Sequence, residues 1–441
     1  MRSKHRTTKA ALVTGFAAFM VICGQVRSAG FQISEQSVSG LGRAFAGSGV
    51  AGDDVSDMFY NPASMALSEN RRFQAGLSFL SIDSAFRNQG STQTLLGPAG
   101  PVMIPTTGID DNGGEDAVVP NVYYVFPRRG AVRYGVSINA PFGLKTDYQS
   151  NWVGRYHALN TELKTVDVNP AIAYSLNDNV SIGGGVSVQY VEATLSQAVF
   201  LGAGIPDGRS TVSGDDTSMG FNVGVMVQAD NDARFGASFR SKIKQEVAGH
   251  VDVLGTGTAL DGRSGARATV DLPETIYVHG YKPLSPRWSM LGGIRWTNWS
   301  RFDELRVTFD NGRPDAVTDE SWEDSATVSI GLSFHDRDSP WTYRFGYAHD
   351  QSPVPDALHR TPRVPDSDRD WFTIGASYRP SDRVMIDLGF ARLKSDDANL
   401  RNTINLVSTA PRLFTDTLIG EYSSNSVDIL GIQVQIDFPA N

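Results

Sequence analysis

The sequence predicts an all-β fold, a transmembrane antiparallel β-barrel in the outer membrane of a Gram-negative bacterium. Three observations support this prediction. The chain begins with an export signal, no later segment is long and apolar enough for a membrane-spanning helix, and many segments alternate apolar with polar residues. Such alternation sets one face of each strand against lipid and the other against a polar interior.

The N-terminus has the pattern of a secretory signal peptide. Basic side chains from Arg2 to Lys9 precede the apolar run 10–22, and that run, at about 13 residues, is too short to span a bilayer as a helix. We therefore predict a signal peptide at residues 1–28 and a mature chain that starts at Ala29. The single cysteine, Cys23, lies within the signal, so the mature chain cannot form an internal disulfide.

Composition and motifs exclude several classes of function. The net charge is −9 and no basic cluster follows the signal, which argues against a nucleic-acid partner. The 7 histidines lack metal-ligand spacing, and no G-x-S-x-G nucleophile motif occurs. We predict that the protein is not an enzyme, has no catalytic residues and needs neither a cofactor nor a metal.

The clearest strand is the last one, in which apolar residues from Leu430 to Phe438 alternate with polar ones or glycine. The same period of two recurs at four earlier segments, which are 73–79, 219–227, 326–334 and 341–347. Trp and Tyr side chains, among them Trp288, Tyr343 and Trp371, are expected to form the aromatic girdles at the membrane interfaces. A soluble sandwich would also show short alternating strands, but with charged outward positions.

Tight turns and long loops alternate along the chain. The tight turns are at 128–130, 176–179, 230–232, 283–286, 336–340 and 380–382. The long polar segments are near 86–117, 196–216, 250–267, 310–321, 350–368 and 395–424. This pattern predicts about 14 strands, with short turns in the periplasm and long loops outside the cell.

The segment 29–70 precedes the first strand and does not alternate well. It can either hang in the periplasm or fold into the barrel as a plug, and its apolar residues favour the plug. We therefore divide the mature chain into an N-terminal hatch at 29–70 and a barrel at 71–441.

A series of motifs resembles the FadL-type family of outer-membrane long-chain fatty acid transporters. The motifs are Ala29-Gly30-Phe31-Gln32, the run 40–47, Asp53-Asp54, Asn61-Pro62-Ala63, Pro141-Phe142-Gly143-Leu144, Leu272-Pro273-Glu274-Thr275, the run 296–302, the run 350–355 and the run 364–369. Any one motif is weak evidence, but together and in this order they span nearly the whole mature chain.

The resemblance implies a barrel closed by the hatch, with an interior pocket for a fatty acid or hydrocarbon ligand and a kinked third strand. Substrate would be captured by the outer loops, pass to the pocket and leave sideways into the bilayer. By the same resemblance, Phe31 reaches into the pocket. The expected partners are the hydrophobic ligand, outer-membrane lipids and the barrel assembly machinery, and we expect a monomer.

The kink has a local physical basis in the segment 134–146. Pro141 lacks a backbone donor for the sheet and Gly143 weakens the strand, so a gap in the wall can form there, flanked by Asn139 and Phe142. We expect Asn61-Pro62-Ala63 to pack at this gap. The alternatives are an ordinary bulge, in which Asn139 satisfies the freed backbone, and a simple turn at Asn61-Pro62.

The run Val199-Phe200-Leu201, with Ile205, is apolar where a soluble loop should be polar. We consider it a candidate capture patch for hydrophobic substrate. The alternative is packing beneath the loop.

Two ligand classes remain open, fatty acids and aromatic or aliphatic hydrocarbons. A carboxylate needs an interior cation, but Gln197 and Glu323 stand where fatty acid transporters of the family tend to carry basic residues. Arg155, Lys242 or Lys244 could substitute. From other classes, a passive porin and a structural barrel also remain open.

Overall fold

The computed structural model describes residues 30–97, 99–202, 204–406, 415–423 and 425–438. The expected signal peptide and the tail 439–441 lie outside these residues. Among the helices that it describes, none is long and apolar enough to cross a membrane.

The described elements are three short helices between residues 38 and 67, twenty-five strand segments after them, and one more short helix at residues 299–301. In chain order they are α1 (Val38–Leu41), α2 (Asp57–Tyr60), a 3-10 helix (Pro62–Leu67), β1 (Arg71–Asp83), β2 (Ala85–Asn88), β3 (Thr92–Gly97), β4 (Gly100–Pro105), β5 (Asp111–Asn112), β6 (Ala117–Val125), β7 (Val132–Asn139), β8 (Gly143–Asp147), β9 (Asn160–Ser175), β10 (Val180–Val199), β11 (Gly208–Gln228), β12 (Arg234–Arg240), β13 (Ile243–Leu254), β14 (Gly262–Leu272), β15 (Thr275–Pro283), β16 (Trp288–Thr297), a second 3-10 helix (Trp299–Arg301), β17 (Glu304–Phe309), β18 (Ala316–Asp319), β19 (Ser325–His335), β20 (Trp341–Asp350), β21 (Arg369–Ser381), β22 (Val384–Ser395), β23 (Ala398–Asn405), β24 (Thr415–Tyr422) and β25 (Ser426–Phe438).

A closed barrel of 14 antiparallel strands confirms the predicted fold class. The barrel closes where β1 pairs with β25, in a register that runs from Arg71 opposite Phe438 to Asp83 opposite Ser426. Some barrel strands are divided by a short break into two segments. The divided strands are β7 with β8, β12 with β13, β14 with β15, β16 with β17 and β18 with β19.

All six predicted tight turns join neighbouring barrel strands. The expected long loops at 196–216 and 250–267 are shorter than predicted. β10 pairs with β11 through Val199 opposite Gly208, and β13 pairs with β14 through Val253 opposite Gly262. Ladder hydrogen bonds satisfy the backbone of these segments, so they extend the barrel wall instead of forming loops.

The burial pattern is that of a protein with lipid outside and polar groups inside. In β25, Leu430 and Ile432 are 57% and 44% exposed on the outer face, whereas Gln433 and Gln435 are buried. Trp288 and Tyr343 also lie on the outer face, as the girdle prediction requires. Trp371 does not: it is buried inside the barrel, because its odd position in β21 faces inward with Thr373.

The segment from residue 30 to residue 67 lies inside the barrel against its wall. Glycines of the wall allow this close approach: a Cβ at Gly375 would lie 2.8 Å from Cα of Gly42, and one at Gly389 would lie 3.2 Å from Leu41 Cδ2. Buried charges add to the packing. Asp53 pairs with Arg43 of the same segment at 2.6 Å and with Arg344 of β20 at 3.2 Å.

A second sheet lies beyond the long-loop end of the barrel. It contains six of the short strands, β2, β3, β4, β5, β23 and β24. Beneath it, the loops share a buried aromatic cluster in which Tyr148 stacks on Trp152 at 4.0 Å and Phe86 meets Tyr422 at 5.2 Å. The long loops therefore form a packed cap.

Candidate functional site

The main cavity has a volume of about 590 Å³ and lies in the barrel interior. Its wall comes from β6 to β9 and from the chain around Val364 to Arg369, and its inner side comes from the first residues of the hatch segment. Phe31, Ile33, Phe142 and Leu163 make much of this lining apolar. The cavity can therefore accommodate a hydrophobic ligand.

The barrel wall is open beside this cavity. β6 pairs with β7 only from Val122 to Val125. Among the described residues, its stretch Ala117–Asn121 pairs with β1 on one side and with no strand on the other. Above the opening, a single bridge joins Gly114 to Thr146. We call this opening the wall gap.

The wall gap arises where the sequence predicted the kink. The third barrel strand breaks between Asn139 and Gly143, and only beyond the break does β8 resume pairing with β9. The cavity reaches through the gap, because its lining includes the outward-facing side chains Val118 and Ile138, which are 55% and 44% exposed.

The hatch segment supplies the hydrogen bonds that the broken strand lacks. The N–H of Ile33 donates to the carbonyl oxygen of Pro141 at 2.9 Å, and the N–H of Gly143 donates to that of Phe31 at 3.0 Å. Gln36 Nε2 donates to the carbonyl oxygen of Ala140 at 2.8 Å. The first hatch residues therefore act as a short inner strand at the kink.

Asn139 does not bind the backbone freed by Pro141, as the alternative of an ordinary bulge would require. Its Nδ2 donates to Tyr123 Oη at 2.7 Å and to Gln36 Oε1 at 3.1 Å. The freed backbone at the kink is bound by the hatch instead. Asn139 thus ties the hatch to two neighbouring wall strands, and nothing in the sequence pattern singled out Gln36 as their common partner.

The expectation that Asn61-Pro62-Ala63 packs at the wall gap is wrong. Asn61 Nδ2 donates to the carbonyl oxygen of Val225 in β11 at 3.0 Å, and Ser181 Oγ of β10 donates to that of Ala63 at 3.3 Å. Asn61 Oδ1 accepts from the N–H of Ala63 and caps the 3-10 helix. The motif fixes the hatch to β10 and β11, where the sequence alone could not place it because the wall glycines that receive it are distant in the chain.

Phe31 stands between the main cavity and a smaller recess of about 80 Å³, and it lines both. Its ring packs edge-on against Trp299 at 4.8 Å, Phe302 at 5.7 Å and Phe142 at 6.1 Å. The recess is lined mainly by apolar side chains of β10 to β17. Phe31 therefore lies at the boundary between the two cavities, together with Leu144, Leu163 and Val364.

Arg363 is one of two arginines that line the recess, and the sequence did not identify it. Its Nη1 donates to Thr161 Oγ1 and its Nη2 to Gln197 Oε1, both at 3.1 Å, and among the described residues no carboxylate lies within ion-pair distance of it. Burial lowers the pKa of its guanidinium to about 10, so it remains cationic at neutral pH. The cations that line the main cavity are paired: Arg369 with Asp350 at 3.1 Å, Lys145 with Glu115 at 3.1 Å and Lys164 with Glu162 at 2.7 Å.

The three cations expected from the sequence do not face the cavities as free charges. Arg155 pairs with Asp207 at 2.8 Å, Lys242 lies 3.6 Å from Asp271, and Lys244 pairs with Glu246 at 2.7 Å. The pairs of Arg155 and Lys242 join residues far apart in the chain, and such pairs cannot be read from the sequence. The described residues also contain no group of three or more potential metal-ligating side chains close enough to hold an ion.

The candidate capture residues separate into two environments. Val199 and Phe200 are buried, in two different apolar clusters beneath the loops. Leu201 is half-buried and Ile205 is 55% exposed. Any apolar surface that this run offers to solvent is therefore limited to Leu201 and Ile205.

The comparisons with known proteins agree with this architecture. A family model described as "Outer membrane protein transport protein (OMPP1/FadL/TodX)" matches residues 19–438. The chain belongs to this family. The long-chain fatty acid transport protein of Escherichia coli O6:H1 is 30% identical over 88% of this chain and 91% of its own. Outer membrane protein P1 of Haemophilus influenzae is 26% identical over 96% and 98%.

Solved structures of the family share the fold. A Pseudomonas aeruginosa FadL homologue superposes with a TM-score of 0.83 at 24% identity, covering 93% of this chain and 100% of that one. The toluene transporter TodX of P. putida gives a TM-score of 0.66 at 15% identity, with 95% and 100% covered. As a member of the OMPP1/FadL/TodX family, the protein is an outer-membrane transport protein.

Proposed function

We propose that this protein carries long-chain fatty acids across the outer membrane, holding them in the main cavity and releasing them sideways through the wall gap. The cavity volume of about 590 Å³ is in the range of pockets that enclose a small-molecule ligand. Its apolar lining suits an acyl chain, which gains about 0.8 kcal/mol for each methylene group removed from water. Relatives named as long-chain fatty acid transport proteins support the choice of substrate.

The observation that carries the proposal is Arg363. A guanidinium in an apolar recess, without a carboxylate within ion-pair distance among the described residues, favours an anionic ligand group as its counter-ion. A hydrocarbon would not need this charge. We infer that the carboxylate lies at Arg363 and that the chain extends past Phe31 into the main cavity.

The proposed route begins at the outer loops. Leu201 and Ile205 offer apolar surface to the substrate, and the buried side chains of Val199 and Phe200 hold this loop in place. The substrate then enters the recess, displaces the ring of Phe31 and fills the main cavity. From there the wall gap between β6 and β8 leads outward at Val118 and Ile138, so the chain enters lipid without crossing water.

The hatch argues against a passive porin, which was one of the alternatives from other functional classes. It packs against many wall strands, with buried ion pairs such as Arg344 to Asp53, which disfavours the open charged lumen of a passive porin. Large, stable ion currents through the purified protein in a planar bilayer would contradict this conclusion.

The substrate class is tested by Arg363→Gln. Loss of a charged hydrogen bond costs about 1.5–3 kcal/mol, so decanoate binding should weaken about 10- to 100-fold. Binding of the uncharged chain, 1-decanol, should stay unchanged. Equal affinity of the wild type and the variant for decanoate would refute a head-group site at Arg363, and uptake of alkanes or toluene in that case would favour the hydrocarbon channel.

A further inference from the structure

Four ionisable side chains line the recess, and they differ in whether they have an ion-pair partner among the described residues. The recess is lined by Glu162, Arg267, Glu320 and Arg363. Glu162 has Lys164 at 2.7 Å, and Arg267 lies 3.8 Å from Asp310. Among the described residues, neither Glu320 nor Arg363 has an ion-pair partner, although both line the same small cavity.

Glu320 is held in a fixed, buried position. It follows β18, its side chain is only 3% exposed, and its N–H donates to the carbonyl oxygen of Asp303 at 2.9 Å. Trp322 Nε1 donates to Glu320 Oε2 at 3.1 Å. The carboxyl group therefore cannot turn out to solvent without leaving its hydrogen bond and the aromatic cluster around Phe31.

The protonation of this carboxyl is sensitive to its surroundings. Burial raises the pKa of Glu320 to about 8, Arg363 acts in the opposite direction, and the adjacent Asp319 raises it further. Glu320 is therefore mainly protonated at neutral pH. In that state Arg363 has no negative neighbour in the recess apart from Glu162, which already holds Lys164.

We propose that Glu320 controls which ligands Arg363 accepts: protonated, it leaves the guanidinium free for an anionic head group, and ionised, it becomes the counter-ion itself and excludes that head group. This inference rests on the proposed function, since it assumes that an anionic amphiphile enters the recess. It adds a specificity residue and a proton requirement that the transport proposal does not contain.

The expected pH dependence follows from linkage between ligand and proton. An anionic ligand beside Glu320 favours the protonated carboxyl, so binding and protonation support each other. Affinity should be constant well below pH 8 and should fall by roughly tenfold per pH unit above it, because each bound ligand then requires one proton. An uncharged ligand has no such coupling.

Other charged groups near Glu320 must be considered. Asp319 lies next to it in sequence and has His359 at 3.9 Å. Glu162 with Lys164 and Arg267 with Asp310 face the recess from the wall strands. The Glu162–Lys164 and Arg267–Asp310 pairs are partly exposed, whereas Glu320 is buried in the recess that Arg363 also lines. Replacing Glu320 alone should therefore remove the pH dependence.

The test uses the full-length mature protein in detergent and two probes, decane-1-sulfonate and 1-decanol. The sulfonate keeps its charge at every pH used, so only the protein titrates. Calorimetric titrations between about pH 6 and about pH 9 should show sulfonate affinity that falls above pH 8 and alcohol affinity that does not change. Glu320→Gln should bind the sulfonate with the neutral-pH affinity throughout, and the exposed control Glu323→Gln should keep the wild-type profile.

Three outcomes separate the hypotheses. A flat sulfonate profile for the wild type overturns the role of Glu320, as does a Glu320→Gln profile that still falls above pH 8. The wild-type comparison of sulfonate with alcohol tests the inference even if the variant does not assemble. If the wild type binds the alcohol but neither the sulfonate nor decanoate at any pH, the fatty acid proposal itself fails.

Discussion

At the scale of single residues, the position of the hatch depends on wall residues that have no side chain. A Cβ at Gly183 of β10 would lie 2.6 Å from the backbone nitrogen of Ala63, and one at Gly224 of β11 would overlap Asn61 Oδ1. The next residue of β10, Gly184, has its nearest such contact at 3.4 Å. The wall therefore tolerates a methyl group at one glycine and not at its neighbour.

We expect Gly183→Ala to loosen the hatch while the barrel stays folded. The methyl group meets backbone atoms that cannot turn away, and such overpacking costs about 1–3 kcal/mol. Hydrogen exchange should show faster exchange in the 3-10 helix Pro62–Leu67, with barrel strands unchanged. Gly184→Ala is the matched control. Equal protection of the hatch in both variants would show that Asn61-Pro62-Ala63 is not held by this contact.

The sequence revealed some residues of the site and not others, for a physical reason. Pro141 and Gly143 were identified because proline and glycine act on the backbone where they stand. Arg363 and Gln36 were missed because their roles depend on which distant groups surround them. The sequence around Arg363 does not mark it as a ligand-binding cation, but the fold turns it towards Gln197.

At the scale of elements, the third barrel strand, formed by β7 and β8, changes its hydrogen-bonding neighbour from β6 to the hatch. β7 pairs with β6, but beyond Ala140 the inner partner is the hatch, through Phe31 and Ile33. Because the hatch takes over these hydrogen bonds, the third strand can leave β6 while its own backbone at Pro141 and Gly143 stays hydrogen-bonded. The wall gap is therefore a stable feature of the fold.

Ala140→Trp should obstruct the wall gap. Ala140 lies at its rim and lines the main cavity, and an indole there would occupy the opening beside Ile138. Decanoate binding by the purified protein should persist, whereas fatty acid uptake by whole cells should fall towards that of a strain that lacks the protein. The matched control is Ala376→Trp, which places an indole on the lipid-facing side of β21.

Normal uptake by Ala140→Trp, at a normal amount of protein in the outer membrane, would refute exit through the gap. The better explanation would then be a route along the hatch to the periplasm.

The sequence predicted the turns better than the lengths of the strands or the cap. Turns were found correctly because proline, glycine and asparagine specify them locally. The lengths of β10, β11, β13 and β14 were underestimated because polar residues above the membrane can pair as strands as well as form loops. The six-stranded cap was not expected, since its strands come from loops that are far apart in the chain.

At the scale of the whole molecule, the seam between β1 and β25 completes the barrel. Its ladder ends at Arg71 opposite Phe438, where the guanidinium lies 4.6 Å from the ring centroid. The alternation of apolar and polar residues made β25 the clearest strand in the sequence. The same strand closes the barrel.

Deleting residues 439–441 should leave assembly unchanged, because every pair of the seam is retained. The folded protein should still migrate faster than the heated protein on a denaturing gel, and outer-membrane fractions should contain the normal amount. Phe438→Ala, which removes the ring that Arg71 contacts at the end of the seam, should lower the temperature at which the folded band disappears. Loss of the folded band in the deletion variant would show that the tail takes part in assembly.

The enclosed hatch also constrains the order of folding. Gly30 N–H donates to Asp366 Oδ2, and Val38 N–H donates to Gln433 Oε1, so the first hatch residues contact residues that are synthesised much later. Contacts at such large sequence separation form slowly. Once the β1–β25 seam has formed, a segment with buried charges could enter only through the loops or turns. We therefore expect the hatch to lie within the curved, still open sheet before the final strand pairs, so that the newly exported chain waits in the periplasm until its C-terminus arrives.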